Sequence, residues 1–214
     1  MTHAILAYDG TDGGAASRRA AVLEAHVAFV EAAAIAGQLR MGLPLQDAAG
    51  GRVGSLCIVD GDAAACEAYL AAEPFATGGV WQRVTMHPFR IAPLPYAPWP
   101  SPDAAPPEGR SHSVILAFDG IDAAAEARRL AARPAHVARV APMSLAGTLL
   151  FGGAILDAAQ SRMIGSIAVT RHATDAAARA WMADDPYVTG DVWRDITLYG
   201  STLRALPYRP LPRG

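Results

Sequence analysis

Lysine is absent from this chain of 214 residues: its 18 basic side chains are all arginine, scattered among 20 acidic ones for a net charge of −2. Dispersed charge of both signs gives no basic patch, which argues against a nucleic-acid partner. Long apolar runs are missing as well. No stretch approaches the roughly 20 residues needed to cross a bilayer, so no membrane partner is expected. Cysteine is scarce, with Cys57 and Cys66 only, and neither recurs where the chain repeats itself; two buried small hydrophobes are expected rather than a disulfide or a metal site. The nucleotide-binding patterns GxGxxG and GxxxxGK[ST] do not occur, and Gly50-Gly51 and Gly152-Gly153 do not replace them. The N-terminus lacks the basic and apolar regions of a secretion signal, so a cytoplasmic address is expected.

What is present is a repeat. His3-Ala4-Ile5-Leu6-Ala7-Tyr8-Asp9-Gly10 returns as Ser113-Val114-Ile115-Leu116-Ala117-Phe118-Asp119-Gly120, and His26 falls on His136 at the same spacing. Gly37, Leu39 and Gly42 fall on Gly147, Leu149 and Gly152. After two one-residue shifts, Glu73-Pro74-Phe75 meets Asp185-Pro186-Tyr187, Trp81 meets Trp193, and Leu94-Pro95-Tyr96 meets Leu206-Pro207-Tyr208. Two copies of one module of about 95 residues follow. The expected divisions are residues 1–92, a linker at 93–110, a second copy at 111–207 and a tail at 208–214. The linker holds seven prolines in eighteen residues and reads as a semi-rigid spacer reaching at most about 55 Å.

Each copy reads as βαββαβ. Short β-prone runs end in Asp-Gly turns, and Ala-rich helical spacing follows. Gly37 and Gly147 close the first helix, Asp62 and Thr174 cap the second, and Pro74 and Pro186 end it. In the second copy Pro134 suggests a fresh helix start, which would put His136 in a first helical turn. The fold class is therefore α+β: two ferredoxin-like domains whose sheet faces, bare of helices on one side, pack sheet to sheet as an intramolecular pseudo-dimer. Further association into a homo-oligomer is compatible with this.

That plan gathers the end of strand one, the start of the first helix and the loop after the second helix at one edge of the sheet, which brings Asp119, His136 and Asp185 to one end. A neutral imidazole can take a proton from a phenol or an activated C–H, and a carboxylate on its other nitrogen fixes the tautomer. A helix N-terminus disfavours the imidazolium and an adjacent Asp favours it. The bland alternative is that His136 and Asp185 form a structural pair, with Asp185 bracing the turn before Pro186. In the first copy Glu73 replaces the Asp and Leu23-Glu24-Ala25 replaces Arg133-Pro134-Ala135, so His26 and Glu73 are expected to form a degenerate site. His3, His87, His112 and His172 show no ligand spacing, and no metal or cofactor is called for.

The segments Arg133-Pro134-Ala135-His136, Gly147 to Gly153, Ala183 to Trp193 and, in the first copy, Val84 to Phe89 resemble the YCII family of the dimeric α+β barrel superfamily. The resemblance spans nearly all of both copies. It implies a ferredoxin-like domain that dimerises through its sheet, with a His and an Asp in a cleft as the active site. Some members of that family act as dehydrochlorinases of hydroxylated aromatic rings, and related barrel families include isomerases and monooxygenases. The expectation is a cofactor-free lyase or isomerase acting on a small cyclic or aromatic molecule, with His136 as acid/base, Asp185 as its partner, and Asp119 and Arg133 as substrate contacts. The competing expectation is a non-catalytic ligand-binding or oligomerisation module.

Overall fold

Eight strands and six helices alternate along the chain in a computed structural model that describes residues 1–105 and 107–212. Pro106 of the expected linker and Arg213 and Gly214 of the expected tail lie outside the described residues. The first copy comprises β1 (Thr2–Asp9), α1 (Ala15–Ala36), β2 (Leu39–Gln46), β3 (Arg52–Asp60), α2 (Ala63–Ala72), α3 (Pro74–Thr77) and β4 (Trp81–Ile91). The second repeats them as β5 (His112–Asp119), α4 (Ala125–Leu145), β6 (Leu149–Leu156), β7 (Met163–Thr170), α5 (Asp175–Met182), α6 (Pro186–Thr189) and β8 (Trp193–Ser201).

Within each copy the strands pair antiparallel in the ferredoxin-like order, and the two sheets join into one closed barrel, β1-β3-β2-β8-β5-β7-β6-β4. Closure removes the sheet edges that an isolated copy would expose. The two seams are unequal. At one, Phe89, Arg90 and Ile91 pair with Ile155, Ala154 and Gly153; at the other, Gln46 alone pairs with Gly200, helped by the Ser201 hydroxyl donating to the Pro44 carbonyl at 2.7 Å. Gly153 admits the closer approach, because a Cβ there would stand 2.4 Å from the Arg90 carbonyl and the Phe89 ring.

Strands β1 and β5 are buried on both faces, which is why they read as continuous apolar runs rather than alternating ones. Ala4 and Leu6 join Leu56, Phe89, Leu116 and Ile155, from both copies, in one cluster; the intervening Ile5 and Ala7 pack with Ala33, Ala34 and Tyr69 beneath the helices of the first copy. Among the described residues no helix is long and apolar enough to cross a membrane.

Local signals place the helix ends. Gly37 and Gly147 take left-handed φ values of 76° and 74°, as helix-closing glycines do. Asp62 and Thr174 accept the amides of Ala65 and Ala177. Pro74 and Pro186 do more than end a helix: each begins a four-residue helix at its first position, capped by Glu73 or Asp185. The fresh start at Pro134 is not observed. Helix α4 runs unbroken through Pro134 and Pro142, and Pro134 lies on the exposed face, where the carbonyl that loses its N–H partner can turn to water. His136 therefore sits well past the first turn, beyond the reach of the helix N-terminal charge.

Candidate functional site

Two clefts lie between helix and sheet, one per copy. In the second copy the cavity has a volume of about 240 Å³ and is walled by α4, β6, β7 and α5. His136 reaches it from α4. Its Nδ1 lies 2.8 Å from Asp185 Oδ1, and its ring stacks on Tyr187 at 3.9 Å and meets the edge of Trp193 at 5.7 Å. Asp185 is fully buried. Its Oδ1 also accepts the Tyr187 amide at 2.9 Å, and its Oδ2 accepts Arg139 Nη1 at 3.1 Å. A carboxylate so placed can only accept, so Nδ1 carries the hydrogen, and in the neutral imidazole the lone pair is on Nε2. Nε2 has no partner among the described residues.

Asp119 does not touch His136. It pairs with Arg129, whose Nη1 donates to both carboxylate oxygens at 2.8 and 2.9 Å, and both residues are buried. Burial pushes the Asp119 carboxyl up and the Arg129 charge opposes it. Arg129 continues to Ser166 Oγ at 3.0 Å, which also accepts the Trp193 indole N–H, and its guanidinium lies 4.7 Å from the Tyr187 ring centre. Asp119 thus connects to the site through Arg129 and Tyr187. Arg133 lines the same cavity, exposed and with no hydrogen-bonding partner among the described residues.

The first copy repeats this arrangement more faithfully than its sequence suggests. The extra methylene of Glu73 does not spoil the pair: His26 Nδ1 is hydrogen-bonded to the buried Glu73 carboxylate, whose other oxygen caps α3 through the Ala76 amide at 3.0 Å. His26 stacks on Phe75 at 3.6 Å, Arg19 lies 4.4 Å from the same ring, and Arg19 pairs with Asp9. The cavity there is about 360 Å³.

Both clefts are completed by the opposite copy. Arg90, Ala92, Pro93 and Leu94 wall the second cavity; Thr202, Arg204 and Leu206 wall the first. The stretch expected as a spacer therefore begins as cleft wall, and Tyr96 docks on Gly152 as Tyr208 docks on Gly42.

Arg129, Arg139, Tyr187 and the cross-copy arginines were not singled out from the sequence as site residues. One signal existed: Arg18-Arg19 recurs as Arg128-Arg129 at the spacing of 110 that relates the histidines. Tyr187, where the first copy has Phe75, adds a hydroxyl to the second cleft; burial pushes its pKa up. Among the described residues no group of three or more His, Cys, Asp or Glu could hold a metal ion.

The YCII-related domain model matches residues 1–90 and 114–200, one match in each copy. The chain belongs to the YCII-related domain family. No protein of curated function matches it. Among solved structures, a mutant chlorite dismutase from Candidatus Nitrospira defluvii is similar with a TM-score of 0.58 and 11% identity over 94% of this chain and 90% of that one. A putative monooxygenase from Lactobacillus acidophilus gives 0.55 and 10% over 97% and 96%. A 5-chloro-2-hydroxyhydroquinone dehydrochlorinase from Burkholderia phenoliruptrix, complexed with 2,5-dihydroxybenzoquinone, covers 43% of this chain and 96% of its own at 19% identity and a TM-score of 0.38. At such identities the likeness of the full-length neighbours speaks for the fold alone: a tandem YCII chain forms, by itself, the α+β barrel.

Proposed function

We propose that the second cleft is a general acid/base site acting on a small cyclic or aromatic organic molecule. The observation that carries this reading is the Asp185 carboxylate, which must accept from His136 Nδ1 and so, in the neutral imidazole, leaves the Nε2 lone pair as the available base. In the proposed step Nε2 takes a proton from an activated ring C–H or a phenolic O–H, and Asp185 stabilises the imidazolium. Return of the proton at another ring position completes an isomerisation. Loss of a leaving-group anion, with the C–H electron pair forming the new double bond, completes an elimination. Neither route needs a group beyond the imidazole and the substrate. In this reading Arg133 pairs with an anionic substituent and Asp119 acts through Arg129, while Val137, Leu149, Ile167 and Trp181 line the cavity as the apolar wall a ring requires.

A second reading draws on the same residue. Asp185 caps α6 and ties it to α4 through Arg139, which a purely structural role in a ligand-binding module would also need. Solvent-deuterium exchange, followed by NMR on a panel of chlorinated and hydroxylated phenols, separates the two. Acid/base function predicts exchange at one ring position, lowered by about 10²- to 10⁴-fold in His136→Ala. Absence of exchange from every compound that binds the cleft supports the binding module instead.

A further inference from the structure

The two clefts share a floor and differ at their charged rims. Each floor has a histidine stacked on an aromatic ring and held by a buried carboxylate, beside an Asp–Arg pair. Most charges on these floors are answered by arginine, Asp9 by Arg19, Asp119 by Arg129 and Asp185 by Arg139; Glu73, with Phe29 where the second copy has Arg139, is held by His26 and the Ala76 amide instead. The rim charges are unanswered. Arg52, Arg90, Arg133, Arg171, Arg179 and Arg204 are the arginines whose guanidinium meets no carboxylate, carbonyl or aromatic ring among the described residues, and all but Arg171 and Arg179 line one of the two cavities.

They do so at positions the repeat does not share. In the second cleft the free guanidiniums belong to Arg90 and Arg133, and the matching positions of the first cleft hold Thr202 and Leu23. In the first cleft they belong to Arg52 and Arg204, and the second cleft has Met163 and Ala92 there. Every one of these positions lines its cavity, so the exchange of Arg for an uncharged residue has happened within the walls, twice in each direction. A guanidinium with all its donors unused is a fork that fits a carboxylate with two parallel hydrogen bonds. Arg52 has an added reason to take an anion, since partial desolvation at the cavity wall and the nearby Arg19 charge outweigh Asp9 in disfavouring its own. The first cavity is also the larger, about 360 Å³ against about 240 Å³.

We propose that the first cleft is a ligand site in its own right, for a small organic anion whose carboxylate pairs with Arg52 and Arg204. The positive rim sets the class of ligand, and the unequal placement of the arginines sets which end of the ligand each cleft grips. This goes beyond the acid/base reading of the second cleft and does not depend on it.

The test is a titration of the full chain, labelled with 5-fluorotryptophan, with benzoate and with its neutral analogue benzamide. Trp81 stands at the edge of the His26 and Phe75 rings, and Trp193 lines the second cavity, so each cleft has its own fluorine signal. Benzoate is expected to shift both signals with separate midpoints. Arg52→Met combined with Arg204→Ala installs the uncharged residues of the other copy at two exposed positions, and is expected to weaken the Trp81 midpoint by about tenfold to a hundredfold while leaving the Trp193 midpoint in place. Arg133→Leu is expected to do the converse, and the benzamide midpoints should follow neither change. The proposal falls if Trp81 fails to respond to benzoate, if its midpoint survives the double substitution, or if every variant moves both signals together. A silent Trp193 beside a responsive Trp81 counts against the second cleft alone and leaves the proposal standing.

Discussion

The Tyr96 hydroxyl donates to the Gly152 carbonyl at 2.9 Å and accepts the Gly152 amide at 3.2 Å, so one side chain from the first copy satisfies both backbone groups of a β6 residue in the second. Tyr208 makes the same two bonds to Gly42. The repeated Leu-Pro-Tyr motif is thus a reciprocal latch between the copies. Tyr96→Phe leaves the buried Gly152 N–H unpaired, its C=O keeping the Ala92 amide at 2.9 Å, and should cost about 1–3 kcal/mol, with Tyr208→Phe, which frees both groups of Gly42, costing at least as much. Urea unfolding of the two variants measures it; a loss confined to one of them would mean that the latches are not equivalent.

The sequence carries a good deal of this architecture and part of the site, for reasons visible in individual residues. The repeat of Ala4 to Tyr8 in Val114 to Phe118 announces two sheets, and a sheet bare on one face needs the other copy. Capping at Asp62 and Thr174 is local chemistry and is legible for that reason. Pro134 misleads because helix propensity is a local rule, and a long packed helix with the proline on its exposed side overrides it. The meeting of His136 with Asp185 is observed, but from the middle of α4 rather than from its first turn, because α4 starts at Ala125 and not at Pro134. The cross-copy wall at Arg90 and Arg204 does not follow from the βαββαβ plan, since no spacing within one copy records which strand of the other lies beside it.

Pro134 is a local cost that can be removed. The first copy has Glu24 at this position, and Pro134→Glu restores the missing N–H within α4. The proline costs about 3 kcal/mol in a helix interior and returns up to about 1 kcal/mol by restricting the unfolded chain, so a net gain of about 2–3 kcal/mol is expected. Thermal unfolding reads this directly. A destabilised variant would show that α4 requires the proline.

Acid should weaken the fold through buried histidines. Burial, reinforced by the Arg171 charge, holds His112 down to about 4, and burial lowers His87 and His172 as well. Each binds its proton more weakly in the folded chain than in the unfolded one. The stability they permit is complete above the ordinary histidine value of 6.5 and is lost as the pH falls from there toward about 4. The His112 share is about 1–3 kcal/mol, the lower figure allowing for solvent screening. Unfolding free energies at neutral pH and near pH 4.5 should converge in His112→Gln relative to the parent chain; an unchanged difference would assign the acid sensitivity to other groups.

The central claim is that the neutral His136 imidazole turns a bare Nε2 to the second cleft because Asp185 holds the hydrogen on Nδ1. Side-chain ¹⁵N NMR of the histidines at about pH 8, where a neutral imidazole is the relevant form, reads the tautomer directly. The account predicts a protonated Nδ1 and a bare Nε2 for His136, a shift of the Nε2 signal when benzoate enters the cleft, and loss of the tautomer preference in Asp185→Asn. A hydrogen on Nε2, or a tautomer indifferent to Asp185→Asn, would contradict it.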